Sequence, residues 1–253
     1  MGKIVTMHQP NYLPWIGLFS KIQLADCFLI SDGLQCCDIT RRNKIRTNTG
    51  WGYITIPIGR DFEKSRICDV MLPLGSAWQS LHWKQIYQNY AHAPYFRDYQ
   101  DFFRTLYQQH FEYLWQINVE IIMFLLQCFD IRVEIRKATE LQLDPALRGT
   151  DLIIEELRSI GGQTYLSGPS GTNYLEFDKF LSNNFKLKFS RFQHPVYKQR
   201  FPGFIQSLSA IDLLFNAGPM SREIIRESAF MEDFNDIFIQ AHDKSVPEFD
   251  QQD

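Results

Sequence analysis

The sequence predicts an α/β fold with a mostly parallel sheet, flanking helices and an inserted helical subdomain. Three observations support this prediction. Apolar strand-like runs alternate with helix-like segments, which is typical of parallel sheets built from strand–helix–strand units. The first strand ends in a polar loop, and an apolar helix-like segment follows that loop directly. Between about residues 76 and 129 the pattern changes to helices alone.

The first strand–helix–strand unit occupies about 30 residues. Ile4 to Met7 is an apolar run typical of a buried strand, and Cys27 to Ser31 is a second one. Between them, Trp15 to Ala25 has the apolar spacing of a helix packed on a sheet. Such a unit crosses over with its strands parallel, so the loops after the two strands share one sheet edge. We expect residues 8–12 and 32–35 at that edge.

The middle of the chain begins with a basic segment, residues 41–46, and continues with a strand from Trp51 to Ile58. The stretch from Ser76 to Phe129 has the pattern of two or three helices. We expect breaks between these helices near Ala93–Pro94 and near Ile117–Asn118.

The second half alternates again, and a Gly161–Gly162 pair predicts the end of one helix. We expect a single domain over residues 1–245, with the helical insertion at about 76–129 and a polar tail over 246–253. The elements predicted here are strands at Ile131 to Ile135, Thr164 to Ser167 and near Leu187 to Phe189, and helices at Asp151 to Ile160, at Leu208 to Asn216 and after Pro219.

Bulk properties narrow the function classes. A formal net charge of -3 over 253 residues argues against DNA as a partner. No signal-peptide pattern is evident, and the longest apolar stretch inside a predicted helix, Ile121 to Phe129, is far below the roughly 20 residues of a membrane span. We therefore expect a cytoplasmic protein without a membrane span. Five cysteines without a CxxC pair predict reduced thiols, and no histidine spacing predicts a metal site.

The polar loop after the first strand is the first candidate site. It holds His8, Gln9, Asn11 and Tyr12, and Pro10 and Pro14 rigidify the chain there. A histidine with a pKa near neutrality can act as a general base or bind phosphate oxygens. The alternative is that His8 only donates a hydrogen bond to a loop carbonyl, and the spacing alone does not decide between these roles.

The second candidate is the basic segment that follows the loop from Asp32 to Gln35. Arginine binds phosphate oxygens bidentately, so Arg42, Asn43 and Lys44 could hold a nucleotide or a nucleotide-sugar diphosphate. The alternative is an ordinary solvated face.

The third candidate is the turn after the strand that ends at Ser167. Small residues and hydroxyls, among them Ser167 and Ser170, leave backbone N–H groups free to approach an anion, and Tyr174 follows closely. The segment matches neither GxGxxG nor the P-loop pattern, so an ordinary tight turn is the alternative.

The fourth candidate combines a polar loop with the helix after it. The loop holds His194, Tyr197 and Gln199, and the helix places Asp212 and Asn216 one turn apart. These side chains could point into a site. Alternatively, the loop histidine is structural and Asp212 caps a neighbouring helix.

These segments also carry a resemblance. The chain resembles the WbqC-like family of bacterial proteins, in the expected order and over most of its length. It differs from the usual family pattern at Gly33–Leu34, where an acidic or amide residue followed by valine is typical. The matching segments are MHQPNYLPWIGLFSKIQLADCFLISD (7–32), RRNKIRT (41–47), YLSGPSGTNYL (165–175), HPVYKQRF (194–201) and LSAIDLLFNAGP (208–219).

The resemblance implies a transferase that attaches an aminoacyl (glycyl-like) or acyl group to the amine of a nucleotide-linked amino sugar, for O-antigen or surface polysaccharide biosynthesis. In that reaction His8 or His194 would be the base, while Lys21, Arg42 or Asn43 would hold phosphate or the carbonyl oxygen. The donor alternatives are a thioester on an acyl or peptidyl carrier protein, a coenzyme A thioester, an aminoacyl-tRNA, or an adenylate made with ATP.

Two alternative functions stay open at this point. One is a non-catalytic protein that binds a nucleotide sugar. The other is an ATP-dependent amide ligase that acts through an acyl adenylate. The sequence does not indicate the oligomeric state.

Overall fold

The computed structural model describes residues 2–233. In chain order, its strands and α-helices are β1 (Ile4–His8), α1 (Ile16–Ile22), β2 (Cys27–Ile30), α2 (Asp38–Arg41), β3 (Arg42–Thr47), β4 (Gly50–Thr55), α3 (Ala77–Tyr90), α4 (Phe96–Leu106), α5 (Leu114–Cys128), β5 (Glu134–Lys137), α6 (Gly149–Ser159), β6 (Thr164–Ser167), α7 (Phe177–Ser182), β7 (Lys186–Phe192), α8 (Ala210–Ala217), α9 (Ser221–Glu227) and β8 (Ala229–Asp233).

The central sheet has six strands in the order β5-β2-β1-β6-β7-β8. All neighbouring pairs are parallel except β7 and β8, which are antiparallel. The chain moves outward from β1 through β2 to β5, then returns to the other side of β1 and continues through β6 and β7. The direction of winding therefore reverses between β1 and β6. This confirms the predicted α/β fold with a mostly parallel sheet.

Helices cover both faces of the sheet, and the alternation of side chains along the strands divides the core accordingly. Phe28 and Ile30 of β2 pack on one side with residues of α1 and α5. Val5 of β1 packs on the other side with Leu157 of α6 and Phe180 of α7. Helices α1, α3 to α5, α8 and α9 thus contribute to the core on one face, and α6 and α7 to the core on the other, so that helices cover both faces as in doubly wound folds.

The stretch between β2 and β5 holds a two-stranded hairpin, β3–β4, and the helices α3, α4 and α5. The predicted break near Ala93–Pro94 is confirmed, but the one near Ile117–Asn118 is wrong, because the second break lies between Leu106 and Leu114. Asn118 is fully buried within α5, where its amide donates to the carbonyl oxygens of Pro10 at 2.8 Å and Thr40 at 2.7 Å. In the sequence alone, a polar asparagine with buried hydrogen-bond partners resembles a helix break.

Two further differences concern strands. The basic segment forms β3, which pairs with β4 outside the main sheet, and β8 was not predicted. Helices α3 to α5 share one apolar core with α1. The predicted domain boundary at residue 245 and the predicted polar tail lie outside the described residues. Between residues 2 and 233, no helix is both long and apolar enough to cross a membrane.

Candidate functional site

The carboxyl ends of five parallel strands meet at one edge of the sheet, and the polar loops follow there. In open α/β sheets, ligands bind outside these strand ends where the direction of winding reverses. In this sheet the reversal lies between β1, which ends at His8, and β6, which ends at Ser167. The topology therefore indicates a crevice bordered by the loop after His8 and the turn after Ser167, which we call the β1/β6 crevice.

His8 is half-buried, with its tautomer set by the backbone. Its Nδ1 donates to the carbonyl oxygen of Gln9 at 2.8 Å, because a carbonyl can only accept. Nε2 keeps its lone pair and has no hydrogen-bond partner among residues 2–233. Burial, together with the charge of Lys21, lowers the pKa of His8 to about 3. The imidazole is therefore neutral at pH 7, with an unprotonated nitrogen left open.

Lys21 lies in α1, and its ammonium group is buried beside His8. Nζ donates to the carbonyl oxygen of Met7 at 2.9 Å, and within the described chain no carboxylate pairs with it. The side chain is only 7% exposed, and burial lowers its pKa to about 8. A buried cation without a counter-charge favours an anionic ligand, since it binds the anion without first breaking an ion pair.

Side chains from other segments support the loop after His8. The Gln9 amide donates to Sγ of Cys37 at 3.3 Å, and the Asn43 amide donates to the carbonyl oxygen of Leu13 at 2.7 Å. Asn11 is buried, and its Oδ1 has no hydrogen-bond partner in the described part of the chain. Gln9 and Asn43, two of the predicted binding residues, thus hold the loop after His8 in place.

Tyr12 points away from the crevice into the core. It is fully buried, and its hydroxyl lies 2.8 Å from Nδ1 of His82 and 2.5 Å from the hydroxyl of Tyr107. His82 donates from Nε2 to the carbonyl oxygen of Thr55, so its Nδ1 accepts from Tyr12. Tyr12 therefore has no surface on which to meet a ligand, and we leave it out of the proposed site.

The turn after β6 lies on the other side of the crevice. Ser167 is fully buried and its hydroxyl donates to the carbonyl oxygen of Gly168 at 3.1 Å. It lies beside Phe189 in the register, on the face that α6 and α7 cover, whereas His8 lies beside Ile30 on the α1 face. Ser167 thus supports the turn, while Ser170 and Tyr174 are exposed on it.

A separate cavity of about 860 Å³ lies at the ends of β2 and β5 and the start of α6. Asp32 is buried beside it and accepts two hydrogen bonds from Thr139, from the backbone N–H at 3.0 Å and from the hydroxyl at 2.7 Å. Gln35 lies on the rim and donates to the carbonyl oxygen of Glu63. The lining includes Ser31, Lys64, Arg66, Thr139, Arg148 and Glu156.

Sequence reasoning missed Glu156 and Arg148 in this cavity. Glu156 is 5% exposed, and burial, followed by the nearby charge of Asp32, raises its pKa to about 7. A signal was available, because Glu156 lies three residues after Ile153 and four before Ile160, at the edge of the apolar stripe of α6. A carboxylate at such a position is buried more than its exposed neighbours on the same helix.

His194 follows β7 and has both ring nitrogens engaged. Nδ1 donates to the carbonyl oxygen of Pro195 at 2.9 Å, and Nε2 accepts the backbone N–H of Ser207 at 2.9 Å. Burial lowers its pKa. The imidazole thus ties two parts of its loop together and offers no free lone pair in this structure.

Asp212 lies in the first turn of α8 and is fully buried. Its Oδ2 accepts from the hydroxyl of Tyr197 at 2.8 Å and from the amide of Gln199 at 3.0 Å, and burial raises its pKa to about 6. Asn216 donates to the backbone carbonyl of Asp212. These four predicted residues form one hydrogen-bonded cluster that attaches the loop to α8.

The remaining basic residues lie on one face of the β3–β4 hairpin. Arg42 pairs with Asp38 at 2.7 Å and covers the ring of Tyr53, while Lys44 covers the ring of Trp51. Both aromatic rings are about half exposed. Cation–π contacts thus occupy these side chains on the hairpin surface.

Together, the fold and these positions define a class. The chain is a doubly wound α/β protein with a neutral histidine and an unpaired lysine beside the point where the winding reverses. Within residues 2–233, no group of three or more histidine, cysteine or acidic side chains is placed to hold a metal ion.

The chain belongs to the WbqC-like protein family, whose model matches residues 9–224. It is also similar to an uncharacterized protein of Mycobacterium tuberculosis (strain ATCC 25618 / H37Rv), Rv1507c. The two chains are 29% identical over 234 residues, which cover 88% of this chain and 98% of the mycobacterial protein.

Proposed function

We propose that this protein is a transferase that attaches an aminoacyl or acyl group to the amine of a nucleotide-linked amino sugar, as the family resemblance implies for surface polysaccharide biosynthesis. The observation that carries the proposal is the pair formed by His8 and Lys21 at the β1/β6 crevice. His8 offers an open Nε2, and Lys21 offers a positive charge without a carboxylate partner in the described chain. Amide formation needs both a base and a group that stabilises negative charge.

In the proposed reaction His8 is the base. The amine nitrogen attacks the carbonyl carbon of the donor while Nε2 of His8 takes a proton from that nitrogen. The new carbon–nitrogen bond forms as the bond from carbon to the leaving group breaks. For a thioester donor the leaving group is a thiolate, which receives the proton back from His8. The bond from Nδ1 to Gln9 keeps Nε2 directed at the same position throughout.

Lys21 connects substrate binding to the strength of this base. The charge of Lys21 contributes to the low pKa of His8. An anionic phosphate or a developing oxyanion beside Lys21 offsets that charge, which is the smaller of the two causes that lower the pKa of His8, while burial, the larger cause, remains. An anionic substrate therefore raises the pKa of His8 in part and strengthens it as a base.

His194 is the less suitable of the two predicted bases. Both of its ring nitrogens are already engaged within its own loop. The structure thus favours His8 for proton transfer and a structural role for His194.

The proposal is tested by incubating the protein with UDP-glucosamine and glycyl-coenzyme A and detecting the glycyl amide by mass spectrometry. We expect His8→Gln and Lys21→Met to lower product formation by roughly a hundredfold. Matched controls are His92→Gln and Lys84→Met, which replace exposed residues in or near α3 and leave the rate unchanged. His194→Gln should lose less activity than His8→Gln.

A parallel incubation replaces glycyl-coenzyme A with glycine and ATP. Product that depends on ATP, with release of AMP, would favour the ligase over simple transfer. Binding of UDP-glucosamine without product from either donor would contradict the transferase proposal and favour a non-catalytic binding protein. Full activity of the His8→Gln variant would exclude His8 as the base.

A further inference from the structure

The cavity at the ends of β2 and β5 contains a carboxyl group without a partner. Glu156 lines this cavity and is 5% exposed, and its carboxyl group makes no hydrogen bond or ion pair with any of residues 2–233. Burying a carboxyl group without a partner destabilises a fold. A ligand that donates hydrogen bonds to Glu156 would offset that penalty.

The charges near Glu156 indicate which kind of ligand group fits. Asp32 adds a second acidic side chain nearby, and its two oxygens already accept hydrogen bonds from Thr139. Of these two carboxyl groups, Glu156 is therefore the one that is open to a ligand. Two neighbouring carboxyl groups attract a cation, and a primary ammonium group supplies both a positive charge and hydrogen-bond donors.

The lining also contains basic side chains. Lys64 pairs with Asp61 and Arg66 with Asp69, both at 2.8 Å. Arg148 donates to the backbone carbonyls of Pro145 and Leu147 and, in the part of the chain that the structure describes, has no carboxylate partner. Its guanidinium group is therefore available to an anion. The volume of about 860 Å³ is within the range of small-molecule pockets.

We propose that this cavity binds a small molecule that carries a primary ammonium group, held by Glu156, and a carboxylate or phosphate group, held by Arg148. It is a second ligand site, because neither His8 nor Lys21 lines it. The two sites approach each other at Ser31, which lines the cavity and donates its backbone N–H to the carbonyl oxygen of His8 at 2.9 Å.

Isothermal titration calorimetry with two pairs of ligands tests this site. The first pair is glucosamine 1-phosphate and N-acetylglucosamine 1-phosphate, and the second is glycine and N-acetylglycine. Acetylation removes the positive charge and leaves the anionic group. We expect the free amine to bind roughly tenfold or more tightly in at least one pair. The pair that shows the preference distinguishes an amino-sugar phosphate from an amino acid.

Variants assign the preference to particular side chains. Glu156→Gln should abolish the preference for the free amine, whereas the matched control Glu155→Gln, one residue earlier in α6, should keep it. Arg148→Gln should weaken the binding of the amine and of its acetylated counterpart alike, by roughly tenfold. Thermal unfolding of each variant confirms that it is folded.

Equal binding of amine and acetylated ligand in both pairs, or no binding in either pair, would overturn the proposal. A preference that survives in Glu156→Gln would overturn it as well. These outcomes are independent of the transferase assay, because binding is measured without a donor.

Discussion

Nζ of Lys21 lies 2.9 Å from the carbonyl oxygen of Met7, the residue that precedes His8. This hydrogen bond connects α1 to the end of β1, beside the point where the winding of the sheet reverses. The ammonium group is held by a backbone dipole instead of a carboxylate. It therefore keeps its charge available for an anion, at the expense of stability.

Replacing Lys21 with methionine should stabilise the protein while removing function. A pKa lowered from 10.5 to about 8 corresponds to roughly 3 kcal/mol at pH 7. Loss of the bond to Met7 removes about 1 kcal/mol of stabilisation, so we expect a net gain of about 2 kcal/mol. Urea unfolding at pH 7 measures this change.

The sign follows from proton binding by Lys21. Its folded pKa is below the unfolded value, so the penalty is present below pH 8 and is relieved as the pH rises towards 10.5. The gain in Lys21→Met should therefore shrink above pH 8. An unchanged or lower stability at pH 7 would contradict the assignment of Lys21 as a buried, unpaired cation.

The raised pKa of Glu156 predicts the opposite dependence of stability on pH. Its folded pKa of about 7 is above the ordinary value of 4.5, so the folded state holds a proton that the unfolded state has lost. This contribution to stability is present below pH 4.5 and is lost as the pH rises through 7. Relative to Glu156→Gln, the wild type should lose roughly 2.5 kcal/mol between pH 5 and pH 8.

Urea unfolding of both proteins at the two pH values checks this difference. Glu155→Gln is the control, because Glu155 is paired with Arg158 at the surface of the same helix. If the stability of Glu156→Gln changes between the two pH values by as much as that of the wild type, Glu156 does not titrate in this range.

Asn118→Ala should destabilise the protein by about 2–4 kcal/mol. The substitution leaves the buried carbonyl oxygens of Pro10 and Thr40 without their donor. Because Pro10 belongs to the loop after His8, we also expect weaker activity. Asn89→Ala is the control, since Asn89 bonds to Gln85 within its own helix and should lose less than 1 kcal/mol.

The two tyrosines beside His82 should differ in their effects on unfolding. Tyr107→Phe removes one hydrogen bond but leaves Tyr12 donating to His82, so we expect a loss of about 1 kcal/mol. Tyr12→Phe leaves both the hydroxyl of Tyr107 and Nδ1 of His82 without a partner, so the loss should be about 2–4 kcal/mol. Thermal unfolding of the two variants gives the order, and the reverse order would contradict this arrangement, in which Tyr12 bonds both to His82 and to Tyr107.

Local patterns predicted several elements well. Strands β1, β2 and β6 are apolar runs whose ends are marked by polar or glycine-containing loops. Helix α6 ends at Ser159, two residues before Gly161, which has a φ of 67°. The break expected at Asn118 was wrong, because the partners of that amide lie 78 and 108 residues away in the chain. No local pattern contains such partners. The pairing of β8 with β7 is likewise a contact between distant segments.

The candidate site likewise contains residues that local patterns predicted and residues whose surroundings depend on distant segments. His8 was identified because it follows a buried strand, and Lys21 was included as a possible anion ligand. Tyr12 lies in the same short loop but enters the core, since a polar residue next to a site need not face it. Glu156 escaped notice because its burial depends on the segment between β5 and α6, which forms a wall of the cavity.

The sequence by itself determined the α/β class, the polar loops after the strands and the membership in the family, because periodicity and short motifs are local properties. The tertiary structure alone decided that winding reverses between β1 and β6, that Lys21 has no carboxylate partner in the described chain, and that Glu156 and Arg148 face one cavity. The physical reason is that burial, counter-charges and cavities depend on which distant segments pack together. That packing is set by the order of the strands in the sheet.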